Sequence, residues 1–330
     1  MSALDASRSG ASAPADRCSA AFIIGAPRSG TTWLQALLGD HDQVCTHAEL
    51  QLFAGYVEPW MSSWRSQLEL SEAAGAPIGL PGLMREDELV DLLRGVVTSV
   101  FERVRRAKPS AHLVLDKHPD NSRRIELIER VLPHSRFIHL IRDGRDVASS
   151  LVAASRAWGR PWAPRDLPSA AARWRRDLLT ARAARALGGR YLEVRYEDLR
   201  HDPEGVLDGI VEFLSLRPWD RRGMASTIER YGLDRMKRER RGPGGAPLPE
   251  GFVRSGGVGG WRTEWSTAER YLVHRIAGPL LVELGYAEPG WWAESGLQRI
   301  GGPAAAFLRR GLASLERRLT NAVGGRRRRA

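Results

Sequence analysis

The sequence predicts an α/β fold of three layers, in which a central parallel sheet of about five strands is flanked by helices. Two observations predict it. Short apolar runs rich in β-branched residues alternate along the chain with segments whose apolar residues repeat at helical spacing. The first such pair, within 21–39, joins a buried strand to a helix through a turn bracketed by two glycines. Strands that alternate with helices in this way are typical of a parallel sheet.

The length allows one large α/β domain or two small ones. The chain has 330 residues, of which 42% are hydrophobic, enough for one large α/β core. We predict a single domain over 21–300, preceded by a disordered lead-in at 1–20, where small and polar residues predominate. No run of 18 apolar residues occurs, so no membrane span is expected. Cys18 and Cys45 give neither a disulfide framework nor metal-ligand spacing, and we expect a cytoplasmic, reducing setting.

The net charge of +11 indicates an anionic partner. A nucleic acid or an anionic membrane surface would satisfy it. Many arginines are nevertheless scattered over predicted helices, and an Arg-rich composition accounts for most of them, as in Arg173, Arg175, Arg176, Arg182 and Arg185. A small donor with several negative charges would also need a basic cleft, so charge alone does not favour nucleic acid.

The first strand, Phe22 to Ile24, leads into a turn with P-loop spacing, Gly25-x-x-x-x-Gly30. In such a turn the backbone N–H groups and the positive end of the following helix dipole face one concavity, which suits a phosphate. Thr31 stands where a nucleotide triphosphatase needs Lys, and Arg28 supplies the positive charge from inside the loop. The alternative is a turn that binds nothing, but the cation and hydroxyls of 28–32 favour an anion site.

Residues 27–34, PRSGTTWL, resemble the 5′-phosphosulfate loop of the sulfotransferases that use 3′-phosphoadenosine 5′-phosphosulfate (PAPS), P-[KR]-[ST]-G-T-T-W-L. The resemblance extends over roughly 22–262. It implies a P-loop-like fold similar to nucleotide kinases, PAPS as donor, and no metal. It also implies that the loop residues Arg28, Ser29, Gly30, Thr31 and Thr32 bind the donor, and Trp33 would stack on adenine.

Three further residues are candidates for the chemistry. Glu49 lies 21 residues after Arg28. In some branches of the family, such as the tyrosylprotein sulfotransferases, a Glu at this interval deprotonates the acceptor, and this chain resembles them here. Lys117 follows a second buried strand and matches the family's Lys, which bonds the bridging oxygen of the donor. His118 is one residue out of step with the catalytic His of the cytosolic branch. A surface carboxylate at Glu49 and a structural His118 are the alternatives.

A second motif matches the family's 3′-phosphate site, R-[DN]-x-[RK]-D-x-x-x-S. Arg142 ends a third strand, and Ser150 lies two turns into the next helix, so both can reach one phosphate. Tyr196, in the segment YEDL, is a further expected nucleotide contact, or a buried tyrosine. Arg254 and Gly256 match the family's R-K-G-x-x-G-D-W-K segment, while Ser255 replaces its Lys and removes one cation.

The remaining chain is interpreted as scaffold and covering segments. We predict helices over 86–107, 169–187 and 203–214, the last opened by Asp202, and a helix from the capping box Ser266-x-x-Glu269 to Leu284. Residues 52–82 are expected to be irregular and to form a lid on the acceptor side. Residues 237–260 are expected to be a mobile Gly-rich loop, and 301–330 a basic C-terminal helix and tail.

The expected function is transfer of a sulfuryl group from PAPS to a hydroxyl of a small molecule, a sugar or a natural product, with release of 3′-phosphoadenosine 5′-phosphate (PAP). Trp60, Trp64, Trp158 and Trp162 suggest an aromatic-lined acceptor pocket. Three alternatives stay open: a small-molecule kinase of the same fold, a nucleic-acid-binding protein, and a nucleotide-binding protein without turnover. The kinase would need a Lys at position 31 and a carboxylate that holds Mg²⁺.

Overall fold

The computed structural model describes residues 19–293, together with residues 295, 298–299, 301–302, 305 and 307. The predicted helix and tail at 301–330 lies almost wholly outside the described residues, as does most of the predicted lead-in. The prediction that the lead-in extends to residue 20 is wrong, because Ser19 and Ala20 open the first strand. Parallel pairing sets that boundary, since Ser19 lies opposite Leu113 of the neighbouring strand.

Five parallel strands form one sheet in the order β2-β3-β1-β4-β5, which confirms the predicted fold class. They are β1 (Ser19–Ile24), β2 (Val44–Thr46), β3 (Leu113–Lys117), β4 (Arg136–Ile141) and β5 (Tyr191–Arg195). The central strand is β1, and its last four residues are completely buried. A continuous apolar run such as AFII is what a strand needs when helices cover both faces of its sheet.

The α-helices of the described part are α1 (Thr31–Gly39), α2 (Glu58–Ala74), α3 (Glu86–Arg105), α4 (Ile125–Val131), α5 (Gly144–Ser155), α6 (Leu167–Ala181), α7 (Tyr196–His201), α8 (Pro203–Phe213), α9 (Arg221–Arg230), α10 (Leu233–Glu239), α11 (Trp261–Glu264) and α12 (Thr267–Glu283). None of them is long and apolar enough to cross a membrane. The predicted caps are confirmed: Asp202 accepts from the N–H of Gly205, and Ser266 and Glu269 cap α12 reciprocally.

The two faces of the sheet bury alternate side chains of the same strands, as the period of two in a strand requires. Phe22 and Ile24 of β1 join a core with α2, α3 and α4. Ala21 and Ile23 join the opposite core, which contains α1, α8 and α10. Helices therefore cover both faces of the sheet, and a ligand is expected at the carboxyl ends of the strands.

A third cluster, between α5, α6 and α12, fixes the end of β4. Trp174 of α6 is completely buried and donates its indole N–H to the carbonyl of Arg142, at 3.1 Å. A side chain on Gly144 would come within 2.5 Å of the same indole. Glycine at that position lets α6 approach closely and fixes Arg142 at the carboxyl end of β4.

The prediction of an irregular segment at 52–82 is wrong. Residues Phe53–Val57 form a turn of π-helix that continues into α2, and Leu80–Gly82 is a short 3₁₀ turn. Pro59 is compatible with α2 because it lies at the start of the helix, where its missing N–H is not needed. Met61 and Trp64 repeat at helical spacing and are buried in the core beneath. Most Pro and Gly residues of the segment follow the helix, at 75–82, and taking the two parts together hides this period in the sequence.

Residues 237–260 are only partly a loop. Lys237 to Glu239 form the last turn of α10, and a 3₁₀ turn occupies Pro243–Gly245. From Arg240 onward the segment has no other regular helix or strand until α11, in agreement with the sequence. It runs along the carboxyl ends of the strands, where it supplies one wall of the cavity described next.

Candidate active site

The predicted site residues surround one cavity of about 660 Å³ at the carboxyl ends of the strands. Each strand is followed by one or more of them, which is the usual position of a ligand in an open α/β sheet. Ser29 is the one predicted site residue outside the wall, and it is 1% exposed. The wall contains Arg28, Gly30, Thr31, Thr32, Trp33, Glu49, Lys117, His118, Arg142, Ser150, Tyr196, Arg254 and Gly256.

The loop between β1 and α1 has the geometry of an anion site. Gly25 and Gly30 have positive φ angles, and a side chain there would meet the carbonyl of Leu140 at 2.5 Å or the ring of Tyr196 at 2.6 Å. In the described part of the chain, the N–H groups of residues 30, 31 and 32 have no hydrogen-bond partner. These are the first free amides of α1, so they can bind an anion at the positive end of its dipole.

Three arginines crowd together on the same wall. Arg28 donates from Nε to Ser150 Oγ, at 3.1 Å, and from Nη2 to the carbonyl of Phe252. Arg142 donates from Nη1 to the carbonyl of Arg28, at 3.2 Å. Burial, followed by the charges of Arg142 and Arg254, lowers the pKa of Arg28 to about 10. Arg254 is paired with Glu264 at 2.8 Å, whereas Arg28 and Arg142 have no carboxylate partner in the part of the chain that the structure describes. An anion would therefore stabilise Arg28 and Arg142.

Arg142 itself is incompletely satisfied. It is 8% exposed, its Nη2 donates to the carbonyl of Gly257 at 2.8 Å, and its guanidinium lies 4.1 Å from the centre of the Tyr196 ring. Its Nε is buried without a hydrogen-bond partner. A buried donor without an acceptor is costly, so the residues present fit an added phosphate oxygen at this position.

The side chain of Arg28 links the loop to Ser150, a residue predicted for the second phosphate. Its backbone belongs to the loop, with a φ of 75°, while its guanidinium contacts Ser150, the residue predicted for the 3′-phosphate. The faces of Phe252 and Trp158 lie 4.7 Å and 5.3 Å from the guanidinium carbon. Arg28 can therefore contribute to both ends of a bound anionic nucleotide.

Glu49 and Lys117 form an ion pair on the cavity wall. Lys117 is the last residue of β3, and Glu49 follows the neighbouring strand β2. Lys117 Nζ donates to Glu49 Oε1 at 2.5 Å. The Lys117 side chain is 4% exposed and that of Glu49 is 40% exposed. The lysine is thus held inside the site, while the carboxylate it orients is open to a second reactant.

His118 is oriented by its own backbone. Its Nδ1 accepts from the N–H of Asp120 at 3.3 Å and caps the turn Pro119–Arg123. In a neutral imidazole the proton then lies on Nε2, which is 3.7 Å from Glu49 Oε2. His118 therefore turns Nε2 towards Glu49, while Nδ1 is occupied by the cap.

Trp33 lines the cavity but is only 6% exposed. Its Nε1 donates to the carbonyl of Tyr231 at 2.9 Å, the Tyr196 ring meets it edge to face, and Arg200 lies 5.6 Å from its ring centre. Most of its surface therefore packs against protein. Stacking on an adenine stays a prediction.

Several wall residues were not among the predicted site residues. Trp158 and Trp162 do line the cavity, whereas Trp60 is on the outer surface at 56% exposed and Trp64 is in the core. Asp120, Arg173 and Phe252 also line it. The sequence analysis counted Arg173 among the arginines scattered over helices, and nothing in the sequence around any of these three residues pointed to the cavity. No group of three or more His, Cys, Asp or Glu residues within the described ranges could hold a metal ion.

Comparisons with known proteins agree with this geometry. Residues 20–221 match a family model described as "Sulfotransferase family". Zebrafish (Danio rerio) protein-tyrosine sulfotransferase 1 is 26% identical over 206 residues, which cover 60% of this chain and 53% of that protein. An uncharacterized protein of Aquifex aeolicus (strain VF5) is 29% identical over 210 residues, covering 61% of this chain and 26% of that protein. The chain thus spans about half the length of the zebrafish protein and about a quarter of the length of the Aquifex protein.

Two solved structures share the fold. A mouse sulfotransferase complexed with PAP has a TM-score of 0.52 and 14% sequence identity, over 88% of this chain and 89% of that chain. The sulfotransferase domain from the olefin synthase of Synechococcus PCC 7002 has a TM-score of 0.50 and 24% identity, over 81% of this chain and 96% of that chain.

Proposed function

This chain belongs to the sulfotransferase family, and from that premise we propose that it transfers a sulfuryl group from PAPS to an acceptor hydroxyl, releasing PAP. The observation that carries the proposal is that one cavity wall combines a carboxylate–lysine pair with a cluster of three arginines. The arginines suit a nucleotide with several anionic groups, and the pair suits proton transfer from a hydroxyl.

The donor would supply an activated sulfuryl group, with negative charge building on its bridging oxygen as the bond to sulfur breaks. The chain's task is then positioning and charge stabilisation. The free amides of 30–32 and the Arg28 guanidinium would hold the anionic end, and Arg142 with Ser150 the 3′-phosphate. Lys117 Nζ would donate to the bridging oxygen as charge develops there.

Glu49 would take the proton from the acceptor hydroxyl as the new oxygen–sulfur bond forms. Its exposed carboxylate and the buried ammonium of Lys117 are in contact, so the base and the group that stabilises the leaving oxygen are adjacent. His118 would orient Glu49 through Nε2 rather than act as the base, because its Nδ1 is engaged in a cap. A positioned base of this kind typically contributes about 10²–10⁴-fold in rate.

The acceptor class is open to a direct test. The sequence favours a small molecule, a sugar or a natural product, whereas relatives named protein-tyrosine sulfotransferases favour a tyrosine hydroxyl. We would incubate the protein with PAPS and a panel of phenols, sugars and tyrosine peptides, and measure release of PAP. Glu49→Gln should lower kcat about 10²-fold or more with the Kd for PAP nearly unchanged, and His118→Asn should cost much less. An inactive His118→Asn beside a near-normal Glu49→Gln would reverse the two roles.

Nucleotide binding separates the proposal from its alternatives. PAP at about 100 times its Kd should stabilise the fold by about 2.7 kcal/mol, whereas ATP with Mg²⁺ should protect poorly because Thr31 replaces the P-loop Lys. Protection by ATP with Mg²⁺ and not by PAP would point to a kinase and refute the proposal. PAP binding without turnover on any acceptor would indicate a nucleotide-binding protein that is not an enzyme.

A further inference from the structure

Arg173 lines the cavity but has no part in the donor site described above. It lies on α6, which packs against the turn Pro119–Arg123 that follows His118. Its side chain is 19% exposed. A long cationic side chain on a cavity wall needs an explanation, because a composition rich in arginine accounts for exposed arginines and not for one held at a binding cleft.

The guanidinium of Arg173 is fixed from one side only. Nε donates to Asp177 Oδ2 at 2.6 Å, and Asp177 is 5% exposed. Arg123 donates to the other oxygen of Asp177 at 2.8 Å, so the carboxylate is itself held in place. Neither terminal nitrogen of Arg173 has a hydrogen-bond partner in the ranges that the structure describes. This leaves a preorganised pair of donors at the end of the side chain.

The local charge is positive. Asp177 is contacted by Arg123 and Arg173, and Arg176 lies 3.7 Å away. Asp120 lies 3.8 Å from Arg123, so two carboxylates face three guanidinium groups and one positive charge is left over. The two unpaired terminal nitrogens of Arg173 can therefore attract an anion. Their spacing matches the two oxygens of a carboxylate, which a guanidinium binds in a bidentate manner.

A run of contacts links Arg173 to the proposed base through Asp177 and Arg123. Arg123 lies 3.8 Å from Asp120, and the N–H of Asp120 donates to His118. His118 in turn lies 3.7 Å from Glu49. Arg173 is therefore connected to the part of the wall where an acceptor hydroxyl would be deprotonated. The paired rings of Trp158 and Trp162, 5.5 Å apart, line the same cavity.

We propose that Arg173 binds a carboxylate of the acceptor, so that the acceptors of this protein carry a carboxylate on the same molecule as the hydroxyl that is sulfated. This inference rests on the proposed sulfuryl transfer and deepens it. The shared chemistry is the carboxylate, whether it belongs to a small aromatic acid or to an acidic residue beside a tyrosine. Arg173 acts in binding, and Glu49 retains the proton transfer.

Matched pairs of acceptors test the inference by binding to the PAP-loaded protein, measured by calorimetry. One pair is 4-hydroxyphenylacetate and its neutral amide, and the other is a tyrosine peptide flanked by Glu or by Gln. We expect the charged member of at least one pair to bind about 10-fold more tightly or better, as a charge-assisted contact predicts. The pair that shows the preference identifies the source of the carboxylate.

Variants assign the preference to the residue. Arg173→Ala should abolish the preference for the charged member, and Arg173→Lys should restore part of it, because the charge remains but the fork is lost. The control is Arg176→Ala, which removes an exposed arginine near the same Asp177 and lies outside the cavity wall. It should keep the preference. A preference that survives Arg173→Ala, or that Arg176→Ala abolishes equally, overturns the assignment.

The PAP titration distinguishes failure of this inference from failure of the proposed sulfuryl transfer on which it rests. If the wild-type protein does not bind PAP, the proposed function fails. If it binds PAP and shows no preference in either pair, or binds neither member of either pair, only the carboxylate inference is refuted. PAP affinity of Arg173→Ala close to wild type also shows that the variant is folded, so a lost preference cannot be attributed to unfolding.

Discussion

A buried guanidinium nitrogen without an acceptor raises the free energy of a fold unless a ligand completes its hydrogen bonds. Arg142 contains such a nitrogen, and its other contacts are to carbonyl oxygens and an aromatic face. These partners carry no full negative charge. At the scale of single residues, the affinity of the site for an anion therefore depends on charges that are unneutralised in the free protein.

Arg142→Ala should weaken binding of PAP far more than binding of adenosine 5′-phosphate. Loss of a charge-assisted contact to a 3′-phosphate costs about 1.5–3 kcal/mol, roughly 10- to 150-fold in Kd. Calorimetric titration of both nucleotides gives the ratio, with Arg221→Ala, an exposed arginine that pairs with Asp208, as the control. Equal losses for the two nucleotides would show that Arg142 does not contact the 3′-phosphate.

The depressed pKa of Arg28, about 10, predicts how donor affinity depends on pH. A bound anion raises that pKa, so affinity is complete below the pKa of the free protein and is lost as the pH rises through it. The Kd for PAP should be constant from about pH 7 to 9 and increase above about pH 10. Arg28→Ala should bind more weakly but with a smaller increase. An equally steep increase in that variant would assign the effect to another group.

At the scale of elements, the segment from 252 to 260 connects the arginines. The carbonyls of Phe252 and Gly257 accept from Arg28 and Arg142, and the hydroxyl of Tyr196 donates to the carbonyl of Gly256. Asp146 of α5 holds the segment, because its Oδ2 accepts from the N–H of Gly259 at 2.7 Å. Burial raises the pKa of Asp146.

Asp146→Ala should release the segment and weaken PAP binding by roughly 5- to 30-fold, which corresponds to a loss of about 1–2 kcal/mol. Asp146→Asn is the matched variant, because its amide oxygen can still accept from Gly259. Adenosine 5′-phosphate should bind both variants almost as it binds wild type. If Asp146→Asn weakens PAP binding as much as Asp146→Ala does, then the charge of Asp146 matters and the anchoring hydrogen bond does not explain the effect.

The elements that the sequence predicted well are those with a local cause. The two glycines of the β1–α1 turn have positive φ angles and close contacts, so their spacing alone identifies the turn. The caps of α8 and α12 are likewise local. Arg173 and Phe252 reach the cavity only because α6 and the 252–260 segment pack there, so their sequence neighbourhoods contain no comparable signal. The helical state of 53–74 was missed because the Pro- and Gly-rich residues 75–82 were taken together with it, although 53–74 itself contains only Gly55 and Pro59.

At the scale of the whole molecule, the proposed chemistry depends on fixed cations and a carboxylate instead of a metal. Activity should therefore survive an excess of chelator, measured as PAP release with the best acceptor of the panel. A requirement for Mg²⁺ or Zn²⁺, shown by loss of activity and its recovery on adding the ion, would contradict the mechanism. A matched assay without chelator is the control.

The central position of β1 has a consequence for how the chain is made. Its two neighbours in the sheet, β3 and β4, are synthesised much later, since β3 begins almost 90 residues after β1 ends. At about 5–20 residues per second, a ribosome needs roughly 5 to 20 seconds to supply the first partner. During that interval an apolar strand has both hydrogen-bonding edges unpaired, which is a risk for aggregation. We expect the nascent chain to need protection by a chaperone most at this stage, long before any ligand can bind.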